Sequence, residues 1–387
     1  MARGYKVRTI KLRPNKQQTA LLYRFAGAAR FLYNFFIDVD RSAYYNFKAG
    51  YRPKRIIESE FHKAFKELIE KPDYQWLHEL PINMVYAISH RVIHARSKAI
   101  KCEKINFPQY KKRSSRDQFM LGEFPGTRLR PNKFLTIKRR VHIKMTEAFP
   151  SNLRARTFTI MRKGDDWYVA IMYRDPEHNK PQCKDPESVV GIDVGVRHAA
   201  TLSDGTTYTM PDIKNLLKRY DIQLTRWQHT QIGSNRFYRW KKAASRTLMH
   251  IGDINRDATH KITTDIAKNH GIAVLERISV KAMMQTAPTR MSRRLIRHAC
   301  MKTIQKQLAR KMQKCYAVSN RFQSSKRCCM CWHVGDIDWT KKTYKCPECG
   351  SRMDRDLNAA KNLFQEYFSG RVTAVASRAS GEGIPLV

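Results

Sequence analysis

The chain has 387 residues, with 74 Lys and Arg against 33 Asp and Glu, a net charge of +41 and a pI near 10.2. So much charge of one sign repels itself in a compact state, so a polyanion, nucleic acid, is the expected partner. Met1-Ala-Arg-Gly-Tyr-Lys6 has no signal-peptide pattern and no apolar run reaches transmembrane length, which sets secreted and membrane classes aside. A hydrophobic share of 42% is ample for real cores, and the length suggests two or three domains. Nine cysteines, an odd number with four in paired C-x-x-C spacing, indicate a reducing, cytoplasmic compartment and a metal site rather than disulfides.

Tyr5 to Leu12 alternates apolar and basic residues, as a half-buried strand with a cationic face does, and Lys6 and Arg8 on that face are candidate nucleic-acid contacts. Pro14-Asn15 opens a helix whose Leu22, Phe25, Ala29, Leu32 and Phe36 recur at core-face spacing. A second helix is expected around Phe61 to Ile69 and a third from Ile82 to about Ile100. The third carries Asn83, Tyr86 and Arg91 as candidate contacts. Its His90 and His94 have metal-capable i, i+4 spacing but no evident third ligand, and a solvated or phosphate-facing role is the simpler reading. From Ile105 the chain turns basic and extended, with Lys111 and Lys112 as further candidates. Strands follow over Leu135–Ile137 and Val141–Met145. Thr157–Met161 and Trp167–Tyr173 flank Lys163-Gly-Asp-Asp166, a hairpin signal, and Pro176 to Pro186 reads as a linker. A helical unit inserted after the first strand leaves these strands free to form one small barrel.

Val189, Val190, Ile192, Val194 and Val196 read as a buried strand with one carboxylate, Asp193, in its midst, and Ala199–Leu202 as a second strand entering the turn Ser203-Asp-Gly205. A buried carboxylate is paired, coordinates a metal, or caps a local turn. Two later acids favour the metal: Glu276 ends the apolar strand begun at Gly271, and Asp356 starts a helix with Asn358 half a turn on. The three are candidates to converge on two divalent cations that clamp the attacking and leaving oxygens of a phosphodiester. Two long helices, broken at Gly233-Ser-Asn235, fill Ile213 to His270; their apolar positions, among them Leu217, Leu224 and Leu248, read as core seams. Lys281 to Arg327 then holds 13 basic residues and no acid, which favours a polyanion track and makes Arg293, Arg294, Arg297 and Arg327 candidate backbone contacts.

Cys328-Cys-Met-Cys331 and Cys346-Pro-Glu-Cys349 are two C-x-x-C knuckles at the separation of a structural four-thiolate zinc site, with Cys328, Cys331, Cys346 and Cys349 as ligands. Cys329 lies inside the first knuckle. Residues beyond about Ser369 have the composition of a disordered tail.

Gly191-Ile-Asp-Val-Gly195 with Leu202-Ser-Asp-Gly205, Val274 to Lys281, Ser325-Lys-Arg-Cys328 with both knuckles, Asp354 to Asn362 and Phe107-Pro-Gln-Tyr-Lys111 together resemble the TnpB nucleases of insertion sequences, compact relatives of type V CRISPR effectors. The resemblance covers nearly the whole chain. It implies an α+β multidomain protein: an RNase H-like (RuvC) nuclease domain over 181–324 and 353–370 with a zinc ribbon inserted at 325–352. An oligonucleotide-binding-like β-barrel (wedge) over 1–14 and 103–180 is interrupted by a helical recognition domain over 15–102, and 371–387 is left as a tail. It also implies an RNA-guided, Mg²⁺-dependent endonuclease that cuts double-stranded DNA beside a short motif read on the duplex. A transposon-end RNA serves as guide, one Zn²⁺ is structural, and the setting is the nucleoid of a prokaryotic cell; stoichiometry is open, and a chain with recognition, barrel and nuclease parts all present could act as a monomer. Asp193 then bridges both Mg²⁺ ions, Glu276 and Asp356 each complete one site, and Asn358 supports them, whereas Asp354 caps the helix. Three residues depart from the family pattern, Cys329, Trp332 (usually Gly) and Met353 (commonly His), and none touches an acid of the triad. The rival readings are a nuclease-inactive RNA-guided repressor, disfavoured because all three acids are kept, and a transposase performing strand transfer on the same scaffold.

Overall fold

The computed structural model describes residues 5–51, 53–102, 106–112, 117–122, 128–130, 133–137, 141–174, 181–319, 322–336 and 341–375. Parts of the expected basic stretch (113–116), the linker (176–180) and the tail (376–387) lie outside them. The chain divides into two compact units, Arg3–Pro176 and Glu177–Val387.

The first unit opens with β1 (Tyr5–Arg13) and three helices, α1 (Lys16–Lys48), α2 (Glu58–Ile69) and α3 (Ile82–Lys101), with a 3-10 turn at Pro72–Glu79. The Asn15 side chain accepts from the Gln18 amide while Gln18 reaches back to the Asn15 amide, satisfying two donors at the start of α1. The strands β2 (Gln118–Leu121), β3 (Arg128–Arg130), β4 (Phe134–Ile137), β5 (Val141–Met145), β6 (Ala155–Lys163) and β7 (Asp166–Arg174) follow. They join β1 in one antiparallel sheet of order β2-β6-β7-β1-β5-β4-β3. Leu22, Phe25, Leu32 and Phe36 of α1 share a single core with Ile10, Leu135, Ile143 and Ile171 of the sheet. The helices, inserted behind a central strand, therefore bury their apolar faces against that same sheet.

In the second unit β8 (Val189–Asp193), β9 (Ala200–Leu202) and β10 (Thr207–Tyr208) form a meander, followed by the long pair α4 (Lys214–Gln228) and α5 (Asn235–Asn269). Then come β11 (Ile272–Leu275), α6 (Val280–Thr286), α7 (Arg290–His298), α8 (Met301–Lys311) and β12 (Lys314–Val318). The small hairpin β13 (Thr343–Lys345) and β14 (Arg352–Asp354), then α9 (Arg355–Phe368) and β15 (Val372–Ala374), complete it. The sheet order is β10-β9-β8-β11-β12-β15, with β8, β11 and β12 parallel. The chain leaves β8 to one side for β9 and β10 and returns to its other side as β11. That reversal leaves a crevice beyond the carboxyl ends of β8 and β11.

Several expectations are corrected. β8 stops at Asp193 and Val196 is exposed, so the apolar run does not continue as a strand. Val372–Ala374, assigned to the tail, pairs with β12 and forms an edge strand of the sheet. The seams of α4 and α5 are open at one end: Leu217, Leu224, Leu248 and Ile251 line a cavity of about 650 Å³ rimmed by Arg293 and Arg297 of α7.

Candidate active site

The register of the parallel pair sets the two strand acids. Leu275 of β11 lies opposite Ile192 of β8, so the next residues along, Glu276 and Asp193, emerge side by side at the same sheet edge. The third acid arrives on α9, which packs on β8 at Gly191. A Cβ there would lie 2.1 Å from the Ala360 carbonyl oxygen and 2.5 Å from the Phe364 nitrogen, so only glycine lets the helix approach this closely. Asp354 caps α9 by accepting from the amides of Asp356 (2.8 Å) and Leu357 (3.2 Å), which holds Asp356 in the first turn.

Asp193 senses both of the other acids. Burial, then the charges of Asp356 and Glu276, push Asp193 up to about 8, with Arg355 opposing. Burial also raises Glu276, although the Ser324 hydroxyl donates to its Oε2 at 2.6 Å and works the other way. Asp356 is buried and accepts from the Arg355 guanidinium at 3.2 Å. Acids crowded so that their charged forms are disfavoured are what a cation would relieve. Ligands of two ions about 3.5–4 Å apart need not all meet at one point, and among the described residues only the cysteines gather within 4.8 Å of one another.

That cluster is Cys328, Cys331, Cys346 and Cys349, with Sγ–Sγ separations of 3.7 Å (Cys328–Cys349) and 3.5 Å (Cys331–Cys346). Tetrahedral zinc with bonds of about 2.3 Å sets its sulfurs about 3.8 Å apart, so the donor set fits. The Cys329 thiol faces the Met353 sulfur at 3.4 Å and is not part of the cluster. Both knuckles close with the same turn, Trp332 N to Cys328 O and Gly350 N to Cys346 O. Each turn ends in the left-handed region, at φ 72° for Gly350 and φ 65° for Trp332. Trp332 therefore occupies a glycine-type position, a strain of about 1–3 kcal/mol. The guanidinium of Arg327 sits 5.3 Å and that of Arg371 5.9 Å from its ring centroid.

Asn358 does not touch the acids. Its amide accepts from Cys329 N and donates to Arg327 O, and Asn362 (to Ser324 O and Arg327 O) and Gln365 (to Cys329 O) continue the same polar stripe. The stripe fastens the first knuckle to α9. Sequence reasoning passed over Ser324, Gln305, Asn362 and Gln365; for the last two the signal was the row of amides Asn358, Asn362 and Gln365 at i, i+4 and i+7 on one face of α9.

The candidate nucleic-acid residues divide. Arg293 and Arg297 are exposed one turn apart, whereas Arg294 forms a two-pronged ion pair with Asp221 of α4 and is committed to the protein. Arg327 lies between the rings of Phe322 and Trp332, which makes it a packing residue here. In the first unit Asn83 is buried with its amide toward Gly122 O, Arg8 pairs with Glu147 at 2.7 Å, and the Tyr86 ring lies 4.3 Å from the His62 ring, tilted by 39°. His90 pairs with Glu58 at 2.9 Å. Lys6 is half-buried on β1, and Arg91 and Lys112 are exposed. Half-buried Lys111 sits 3.8 Å over the Tyr33 ring, pushed down to about 8 by burial and by the neighbouring Arg91 and Arg30.

Comparison with known proteins gives a consistent picture. A family model described as a probable transposase (OrfB_IS605) matches residues 170–287, a Cas12f1-like TNB domain matches 299–363, and a helix-turn-helix domain model matches 1–49. In the last region the structure has one strand and one continuous helix, Lys16–Lys48. An Escherichia coli protein named "Putative RNA-guided DNA endonuclease InsQ" is 27% identical over 375 residues, spanning 91% of this chain and 90% of its own. A Mycobacterium tuberculosis protein named "Putative RNA-guided DNA endonuclease Rv2885c" is 30% identical over 246 residues, 59% of this chain and 53% of its own. A chain from the cryo-EM structure of a Cas12f1–sgRNA–target DNA complex shares the fold, with a TM-score of 0.56 at 14% identity, over 90% of this chain and 83% of that one. The family models fall in both compact units, and with the named relatives they make the chain similar to the TnpB nucleases encoded by insertion sequences.

Proposed function

We propose that this chain is an RNA-guided, Mg²⁺-dependent endonuclease that cuts double-stranded DNA beside a short adjacent motif, with a guide derived from the transposon end. The observation that carries the reading is the convergence of Asp193, Glu276 and Asp356 from two parallel strand ends and one helix start, close enough for the charges of the other two to raise Asp193. The crossover sheet supports an RNase H-like (RuvC) unit, the four thiols a zinc ribbon, and the antiparallel sheet with inserted helices a wedge and recognition part. The named relatives and the net charge of +41 support RNA and DNA as partners.

Mg²⁺, when bound, polarises the scissile phosphate and lowers the pKa of an attacking water. Asp193 would hold both ions, with Glu276 on one side and Asp356 on the other. Arg355, in contact with Asp356, orients that carboxyl while Asp354 keeps the helix start fixed. Base pairing with the guide would supply sequence, and the protein would read duplex shape and the adjacent motif. No helix among the described residues is long and apolar enough to cross a membrane; a monomer working on DNA in the cytoplasm is the setting this reading implies.

The test is to sequence the RNA that copurifies with the protein and reprogram its guide. Cleavage of DNA matched to the new guide, without transposon ends, is expected. Strand transfer that requires transposon ends would select the transposase reading, and guide-directed binding without cutting would select the repressor.

A further inference from the structure

Ser324 is fully buried, and its hydroxyl donates to Glu276 Oε2 at 2.6 Å. The other end of the same glutamate is held as well: its backbone oxygen accepts from Gln305 Nε2 of α8 at 2.6 Å. Among the described residues Oε1 has no hydrogen bond, so one carboxylate oxygen is fixed by the protein and one is left for a ligand. Ser324 is in turn fixed from behind. Its carbonyl accepts from Asn362, and within the segment Phe322–Cys329 the Arg327 carbonyl and both backbone groups of Cys329 bond to Asn358, Asn362 and Gln365 of α9. The same helix carries Asp356 in its first turn. Two of the three acids are thus referenced to one rigid frame.

We infer that Ser324 is a positioning residue for the cation site: it turns Glu276 so that Oε1 faces the metal held with Asp193. This rests on the proposed nuclease reading. A hydroxyl that merely satisfied a buried carboxylate would leave metal affinity alone, whereas loss of a group that orients a metal ligand weakens affinity about 10–100-fold.

The test measures Mn²⁺ binding calorimetrically on the full chain with zinc in place, for wild type, Ser324→Ala, Glu276→Gln, the double variant of these two, and Asp193→Asn. Ser324→Ala is expected to keep its zinc and its melting cooperativity and to bind Mn²⁺ about tenfold more weakly. In the Glu276→Gln background the serine change is expected to add less than twofold, because the hydroxyl acts through that carboxylate. An Mn²⁺ affinity within twofold of wild type in zinc-loaded Ser324→Ala, with Glu276→Gln impaired, overturns the inference and leaves the nuclease reading standing. If Glu276→Gln and Asp193→Asn both bind Mn²⁺ like wild type, the metal site itself is wrong and the inference falls with it.

Discussion

Asp193 carries the strongest electrostatic signature of the second unit, and its sign gives a pH-dependent expectation. Its folded pKa, about 8, lies above the ordinary carboxylate value of 3.8. The folded state therefore binds a proton more tightly than the unfolded state, and that contribution to stability is complete below about pH 4 and is lost as pH rises through about 8. Metal-free protein should accordingly melt at a lower temperature at pH 9 than at pH 6. A divalent cation competes with the proton, so the rise in melting temperature on adding Mg²⁺ should be larger at pH 9 than at pH 6. In Asp193→Asn the difference should flatten, and a Mg²⁺ shift independent of pH in the wild type would count against the assignment. At the same scale, the sequence made the three acids and four cysteines visible because each sits at a break in an apolar pattern or in a fixed spacing. Ser324 was invisible, because nothing local distinguishes a serine that reaches a glutamate 48 residues away.

Helix α9 shows how an element joins the two candidate metal centres. Asn362 donates to both Ser324 O and Arg327 O, and Arg327 O keeps Asn358 as a second donor, so Asn362→Ala strands one carbonyl, that of Ser324, at about 1–3 kcal/mol. Denaturant unfolding should register that loss. Cys346→Ser should release zinc by elemental analysis and lower cleavage, since the freed knuckle is what α9 holds against Glu276. Wild-type protein without zinc would contradict this directly. Helix α7 divides its arginines differently. Arg293→Gln with Arg297→Gln should weaken binding equally on every target and flatten the log K against log[salt] slope by roughly two units, about 0.9 per phosphate contact. Arg294→Gln should leave that slope unchanged, because its partner is Asp221 in a part-buried, two-pronged pair.

Across the whole molecule, helices and hairpins were legible where a single period ran unbroken, as in α1, α3, α5 and the β6–β7 pair. What was not legible depended on distant partners. β12 hides in the basic run because Cys315, Ala317 and Val318 are buried on both faces of a parallel strand and show no alternation. The stripe of α4 was amphipathic, but amphipathicity does not say that its cover is an open cavity under α7. Asn83 looked like a contact because a polar residue on a helix is usually exposed; it is buried beside the Gly122 carbonyl.

The central claim is that the acid cluster cuts nucleic acid and does not bind it. The most direct measurement compares Asp193→Ala with wild type, each loaded with the same guide, for target binding and for cleavage in Mg²⁺. Cleavage is expected to fall to background while guide RNA and target DNA are bound with affinities near wild type. Cleavage by the variant at the wild-type rate would contradict the three-carboxylate site.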